Sequence, residues 1–133
     1  EWKGPDPLKL ILSSSGLMDK GINDKVIVFT HNSEIDNSEG LRIALDVNTP
    51  SAVQICDYLY RSDIQSVLIE GGAVVLNHFI SCGLWDEMRV FKGNKPFHRG
   101  IKAPHVSGKK MYSNVFSGSL LEIYKNDFSN KKD

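Results

Sequence analysis

The chain has 133 residues, 41% hydrophobic and 24% charged, the balance of an ordinary soluble globular domain rather than a disordered or fibrous one. Sixteen basic side chains cancel sixteen acidic ones, so nothing in the charge points to a nucleic acid, which is met with an excess of Lys and Arg. No apolar stretch approaches the roughly 20 residues of a membrane helix, and the opening residues resemble neither a signal nor a transit peptide, so the simplest expectation is a cytoplasmic protein.

Residues 8–12, Leu-Lys-Leu-Ile-Leu, are short and aliphatic and predict a strand buried on both faces, broken by Ser13-Ser14-Ser15-Gly16. Residues 26–30 are β-branched and aromatic and predict a second strand, ended by His31-Asn32-Ser33. The polar residues from Asn32 to Gly40 read as a loop. Residues 41–47 predict a third strand, which Arg42 and Asp46 mark as half-exposed. Thr49-Pro50 predicts a helix start, with Thr49 capping free amides and Pro50 in the first helical position. Ala52, Ile55, Cys56, Leu59 and Tyr60 then fall on one stripe at helical spacing, a face to be packed on a sheet.

After Ser62-Asp63, Val67-Leu68-Ile69 predicts another doubly buried strand, running through Glu70-Gly71-Gly72 into an apolar helix over residues 73–82 that Gly83 closes. Residues 87–91 alternate and predict a strand, residues 120–124 predict a last one, and residues 125–133 are expected to fray. Cys56 and Cys82, with no CxxC pattern, read as reduced, buried thiols. Helices between short aliphatic strands imply an α/β domain with a parallel portion, its late strands free to run antiparallel at an edge.

The stretch richest in chemistry is Ser66-Val67-Leu68-Ile69-Glu70-Gly71-Gly72-Ala73-Val74. A strand carries a carboxylate to its carboxyl end, where open α/β sheets bind ligands, and two glycines turn into a helix whose free amides attract phosphate. The functional reading is a nucleotide-phosphate cradle with Glu70 beside it for a sugar hydroxyl or a polar substrate. The structural reading, favoured for a lone Glu-Gly-Gly, is a tight turn with Glu70 as helix cap. Spacing alone names no ligand.

This strand, Glu-Gly-Gly-Ala, helix with Phe79, Gly83-Leu84 and Asp86-Glu87 before another strand resembles the reductase domain of the bifunctional riboflavin-biosynthesis deaminase/reductase, a dihydrofolate-reductase-like family. Pro7-Leu8-Lys9-Leu10-Ile11-Leu12 is similar to that family's Pro-Leu-Arg strand, and Gly100-Ile101-Lys102-Ala103-Pro104 to a later Gly-rich loop, so the likeness runs from Trp2 to Tyr124. The resemblance implies a three-layer fold with a mixed, largely parallel sheet flanked by helices. It further implies NADPH-dependent reduction of 5-amino-6-(5-phosphoribosylamino)uracil to its ribitylamino form. In its terms Glu70 contacts substrate. Gly72, Ala73, Val74, Val75, Leu76, Asn77 and His78 bind NADPH, and Ser14 is a further cofactor contact.

The chain departs from the family where Lys9 and Ser13 replace an Arg and a strand-end Asp, and where residues 92–99 replace a Pro-containing loop. The family's Ser-Leu-Asp-Gly and Gly-x-x-Thr segments and its zinc deaminase domain have no counterpart. The expectation is therefore a partial, distal reductase domain, with unknown hydride-transfer residues. The alternatives are a non-catalytic fragment that keeps the fold core and a self-association surface, and a related reductase with another substrate. Exposed strands make a homodimer a reasonable expectation.

Other candidates read more simply. His31, His78, His98 and His105 are dispersed, none has a second His or Cys placed to complete a metal site, and they read as surface or helix-face residues. Lys92, Lys95, His98, Arg99 and Lys102 gather positive charge that reads as a solvated surface, with phosphate steering as the functional alternative. Asp86-Glu87 reads as a turn device, and Trp2 and Trp85 as packing residues.

Overall fold

The computed structural model describes residues 3–4, 6–14, 26–32, 41–95 and 99–127. Two compact units divide between Val67 and Leu68.

The first unit contains β1 (Lys9–Leu12), β2 (Val26–Thr30), β3 (Leu41–Ala44) and α1 (Ser51–Arg61). The strands form a parallel sheet in the order β1-β2-β3, with Leu10 beside Ile27 and Val28 beside Arg42. All five residues of β2 are buried, as a central strand of Val, Ile and Phe demands. Strand β1 is different from its expectation. It lies at the sheet edge, so Lys9 is exposed and Leu10, Ile11 and Leu12 are only half-buried.

Ala52, Ile55 and Leu59 bury the inner stripe of α1, and Tyr58 meets Phe29 of β2 edge to face, ring centroids 5.4 Å apart. Tyr60, expected on that stripe, is 84% exposed, because eight helical steps from Ala52 carry it about 80° around the axis and off the packed face. The start of α1 also differs. Pro50 holds the cap position without a side-chain cap bond, and the Thr49 hydroxyl donates instead to Asp46 Oδ2 at 2.9 Å. Asp63 takes φ 58° just beyond the helix, and the amides of Asp63 and Ile64 close a Schellman turn on the carbonyls of Tyr60 and Leu59.

The second unit contains α2 (Ala73–Ser81), β4 (Glu87–Lys92), β5 (Lys109–Phe116) and β6 (Ser119–Lys125). Its sheet is antiparallel in the order β4-β6-β5. Strand β5 was not anticipated. It forms a hairpin with β6 across Ser117 and Gly118, whose φ angles of 48° and 79° make the two-residue turn that follows strand twist. Of the segment expected to fray, Lys125 is the last residue of β6, Asn126 is hydrogen-bonded to the connection before β4, and residues 128–133 lie outside the described set.

The strand expected at Val67-Leu68-Ile69 does not form. Residues 64–70 belong to no ladder, and Val67 and Leu68 are exposed. An aliphatic run supplies side chains for a strand but not the neighbouring edge that makes it one. Cys56 and Cys82 are not joined in a disulfide, and both are half-buried rather than buried. Among the described residues no helix is long and apolar enough to cross a membrane.

Candidate functional site

Helix α2 starts at Gly72, which has φ −58° and ψ 169° and provides no side-chain cap. Leu76 N makes a helical bond to Gly72 O at 3.2 Å, so the amides of Ala73, Val74 and Val75 precede the first intrahelical donor. Three backbone donors and the positive end of the helix dipole thus share one turn, the elements of an anion site. Glu70 is exposed two residues before it.

The two glycines differ in what surrounds them. A Cβ on Gly71 would stand 3.0 Å from Val75 Cβ and 3.2 Å from its Cγ1, so a larger residue there would press on Val75 and force it to shift by a few tenths of an ångström. A Cβ on Gly72 would meet nothing within 4 Å. Its backbone angles suit any residue. The fold does not demand glycine at 72, whereas the approach of a ligand to the backbone would.

The expected contact residues along α2 divide between two faces. Val74, Asn77, His78 and Ser81, spaced three and four apart, are exposed, while Val75, Leu76 and Ile80 are half-buried and Phe79 is buried. Ala73 is half-buried in the first turn. His78 therefore projects outward, its carbonyl accepting the Ser81 hydroxyl at 3.1 Å. Ser14 belongs to the first unit, exposed just past the carboxyl end of β1, where the Ser13 amide donates to Phe29 O at 3.0 Å.

The same carboxyl edge of the parallel sheet carries a polar network that the sequence did not disclose. His31, just past β2, donates from Nδ1 to the Leu45 carbonyl at 3.3 Å and has Nε2 3.0 Å from the hydroxyl of buried Ser51. The Asp46 carboxylate accepts the Asn48 amide and the Thr49 hydroxyl, and these bonds hold its pKa below the ordinary value. Gln54 completes the loop by accepting the Asp46 amide and donating to the Asp46 and Thr49 carbonyls. These bonds together fix the β3–α1 connection.

In the second unit Glu122 is 3% exposed on β6 and receives Lys110 from β5, Lys92 from β4 at 2.5 Å and the Tyr124 hydroxyl at 3.0 Å. The ammonium of Lys110, followed by that of Lys92, lowers its pKa to about 2, and Glu122 in turn raises that of Lys110. Lys92 of the basic loop is thereby committed to an ion pair, while Lys95, Arg99 and Lys102 are exposed. Glu87 pairs with Arg89 and Lys125, whose hydrogen bonds lower its pKa. Trp85 packs its ring over Gly108. His98 and Trp2 lie outside the described residues, and among those described no group of three or more His, Cys, Asp or Glu is placed to hold a metal.

Solved structures similar to this chain include a bifunctional deaminase/reductase. A Thermotoga maritima diaminohydroxyphosphoribosylaminopyrimidine deaminase/5-amino-6-(5-phosphoribosylamino)uracil reductase aligns with a TM-score of 0.76 and 23% identity, over 94% of this chain and 39% of its own. RibD of Acinetobacter baumannii aligns in two crystal forms, with TM-scores of 0.71 and 0.70 and identities of 15% and 17%. These alignments cover 96% and 91% of this chain and 41% and 38% of the A. baumannii chain. The chain thus spans about two-fifths of the length of these relatives, and the likeness establishes the fold. No curated protein sequence matches it. The RibD C-terminal domain model matches residues 2–97, and the chain belongs to that family of riboflavin-pathway reductase domains.

Proposed function

We propose that the chain forms part of an NADPH-dependent reductase that converts 5-amino-6-(5-phosphoribosylamino)uracil to its ribitylamino form. The observation that carries this reading is Gly72, a residue with no steric need to be glycine, set at the uncapped amino end of α2. The amides of Ala73, Val74 and Val75 suit a cofactor phosphate, and the missing Cβ lets it reach them. Leu76 supports this turn from the inner face, and the exposed side chains of Asn77 and His78 border it. Ser14, at the carboxyl end of β1, is proposed as a further cofactor contact.

When bound, NADPH supplies the hydride that reduces the open-chain imine carbon of the ribosylamino group. The chain's residues bind and orient. Glu70, an exposed carboxylate beside the turn, accepts hydrogen bonds from the substrate and fixes its sugar against the cofactor face. The likeness to the T. maritima deaminase/reductase and membership of the RibD C-terminal domain family support this choice of substrate. A riboflavin-pathway reductase of this kind is expected in the cytoplasm. The exposed edge strand β5 supports the reading that two copies associate.

Titration with NADPH, followed by nicotinamide fluorescence, tests the cofactor site. Saturable binding is expected, and no saturable signal at millimolar cofactor would favour a non-catalytic domain. Glu70→Gln is expected to reduce turnover at least tenfold while NADPH affinity stays within twofold. Unchanged turnover would remove Glu70 from the substrate site.

A further inference from the structure

Helix α2 ends in a Schellman turn. Gly83, at φ 65°, donates its amide to Ile80 O at 3.0 Å, and Leu84 donates to Phe79 O at 3.0 Å. Asn126, the first residue past β6, lies against this turn. Its Nδ2 donates to Gly83 O at 3.1 Å and to Trp85 O at 2.8 Å, and its backbone amide donates to Asp86 O at 3.0 Å. One half-buried residue therefore holds three carbonyls of the five-residue connection 82–86 between α2 and β4. Beside it, a Cβ on Gly108 would lie 2.7 Å from Trp85 Cη2 and would also strike the Lys125 carbonyl, so the same connection is closed tightly against the end of β6.

Both Nδ2 hydrogens of Asn126 are used, which makes the side-chain type specific. Aspartate would set a carboxylate against two carbonyl oxygens, and serine would retain one donor on a shorter reach.

We propose that Asn126 is a positioning residue that sets the direction of α2, and through it the placement of the Gly72–Val75 amides that receive the cofactor phosphate. The inference rests on the reading of those amides as the NADPH site. A helix of this length spans about 13 Å, so a tilt of about 5° at its carboxyl end displaces the amino-end donors by about 1 Å. Displacements of that size are enough to change binding and rate by one to two orders of magnitude.

The test uses the full chain with Asn126→Asp, Asn126→Ser and, as a control, Asn114→Ala, which alters an exposed residue bonded to Tyr112 and Val115 on its own strand. Two quantities are read for the folded protein: the Kd for NADPH, and the backbone amide shifts of residues 73–75 without cofactor. Asn126→Asp is expected to move those shifts and raise the Kd about tenfold, with Asn126→Ser between it and wild type and the control unchanged. A lowered unfolding midpoint with Kd within twofold and unmoved amides would overturn the proposal, leaving a purely structural role. Moved amides with an unchanged Kd would overturn it equally. Absence of saturable NADPH binding in the wild type would instead overturn the cofactor reading, and the amide shifts alone would then decide whether Asn126 positions α2.

Discussion

Gly71 and Gly72 are neighbours with opposite constraints, and substitution separates them. Gly71→Ala places a methyl against the β-branched Val75 and is expected to cost about 1–2 kcal/mol in urea unfolding. Gly72→Ala enters open space at ordinary angles and is expected to leave stability within about 0.5 kcal/mol, while lowering NADPH affinity through the methyl in the phosphate's path. Equal affinity in wild type and Gly72→Ala would remove the turn from the cofactor site. Asp63 offers a complementary test. Its φ of 58° closes α1 with a side chain that disfavours the left-handed region, so Asp63→Gly is expected to raise stability by about 0.5–1 kcal/mol. A loss of stability would show that the Asp63 side chain contributes more than its backbone strain removes.

At the scale of elements, the antiparallel sheet is fastened across all three strands by Glu122, and that gives it a pH signature. The Glu122 carboxyl titrates near 4.5 when unfolded and at about 2 in the folded sheet, because Lys110 and Lys92 favour its charged form. A depressed folded pKa contributes stability that is fully present above pH 4.5 and lost as the pH falls from there toward 2. Glu122→Gln is expected to flatten this part of the stability profile, measured as urea midpoint against pH, and an unchanged slope would show that other carboxyls dominate it. Legibility in the sequence followed a similar logic. The strand β2 and the helices were readable because composition and period suffice for them, and Gly83 because a left-handed cap favours one residue type. Strand β5 was overlooked although Ser117-Gly118 is a turn signal, because Lys-Lys-Met-Tyr-Ser-Asn-Val-Phe is exposed throughout and shows no buried alternation. Thr49 was misplaced because the sequence did not show Asp46 competing for its hydroxyl. The Glu-Gly-Gly turn was legible as a candidate site, whereas Asn126 was not, since a single Asn near the chain end carries no pattern.

For the molecule as a whole, the family match ends at residue 97 while the structural likeness covers 94% of the chain. The β5–β6 hairpin lies beyond that sequence match, yet every residue of β4 pairs with β6, Lys92 reaches Glu122, and the carbonyls after α2 are held by Asn126. The part of the chain with the weaker family signature thus completes the unit that carries the Glu-Gly-Gly turn. A chain ending at residue 97 keeps β4 but leaves its backbone donors and acceptors without their ladder, at a cost that burial of the remaining residues does not offset. Hydrogen exchange is expected to show loss of protection across Glu87–Lys92, with NADPH affinity falling alongside. The amides of β2, all five of whose residues are buried in the first unit, provide the internal reference for what remains folded. Persistent protection of β4 in the shortened chain would show that the hairpin is dispensable to this unit, and would separate the cofactor turn from the Asn126 clamp.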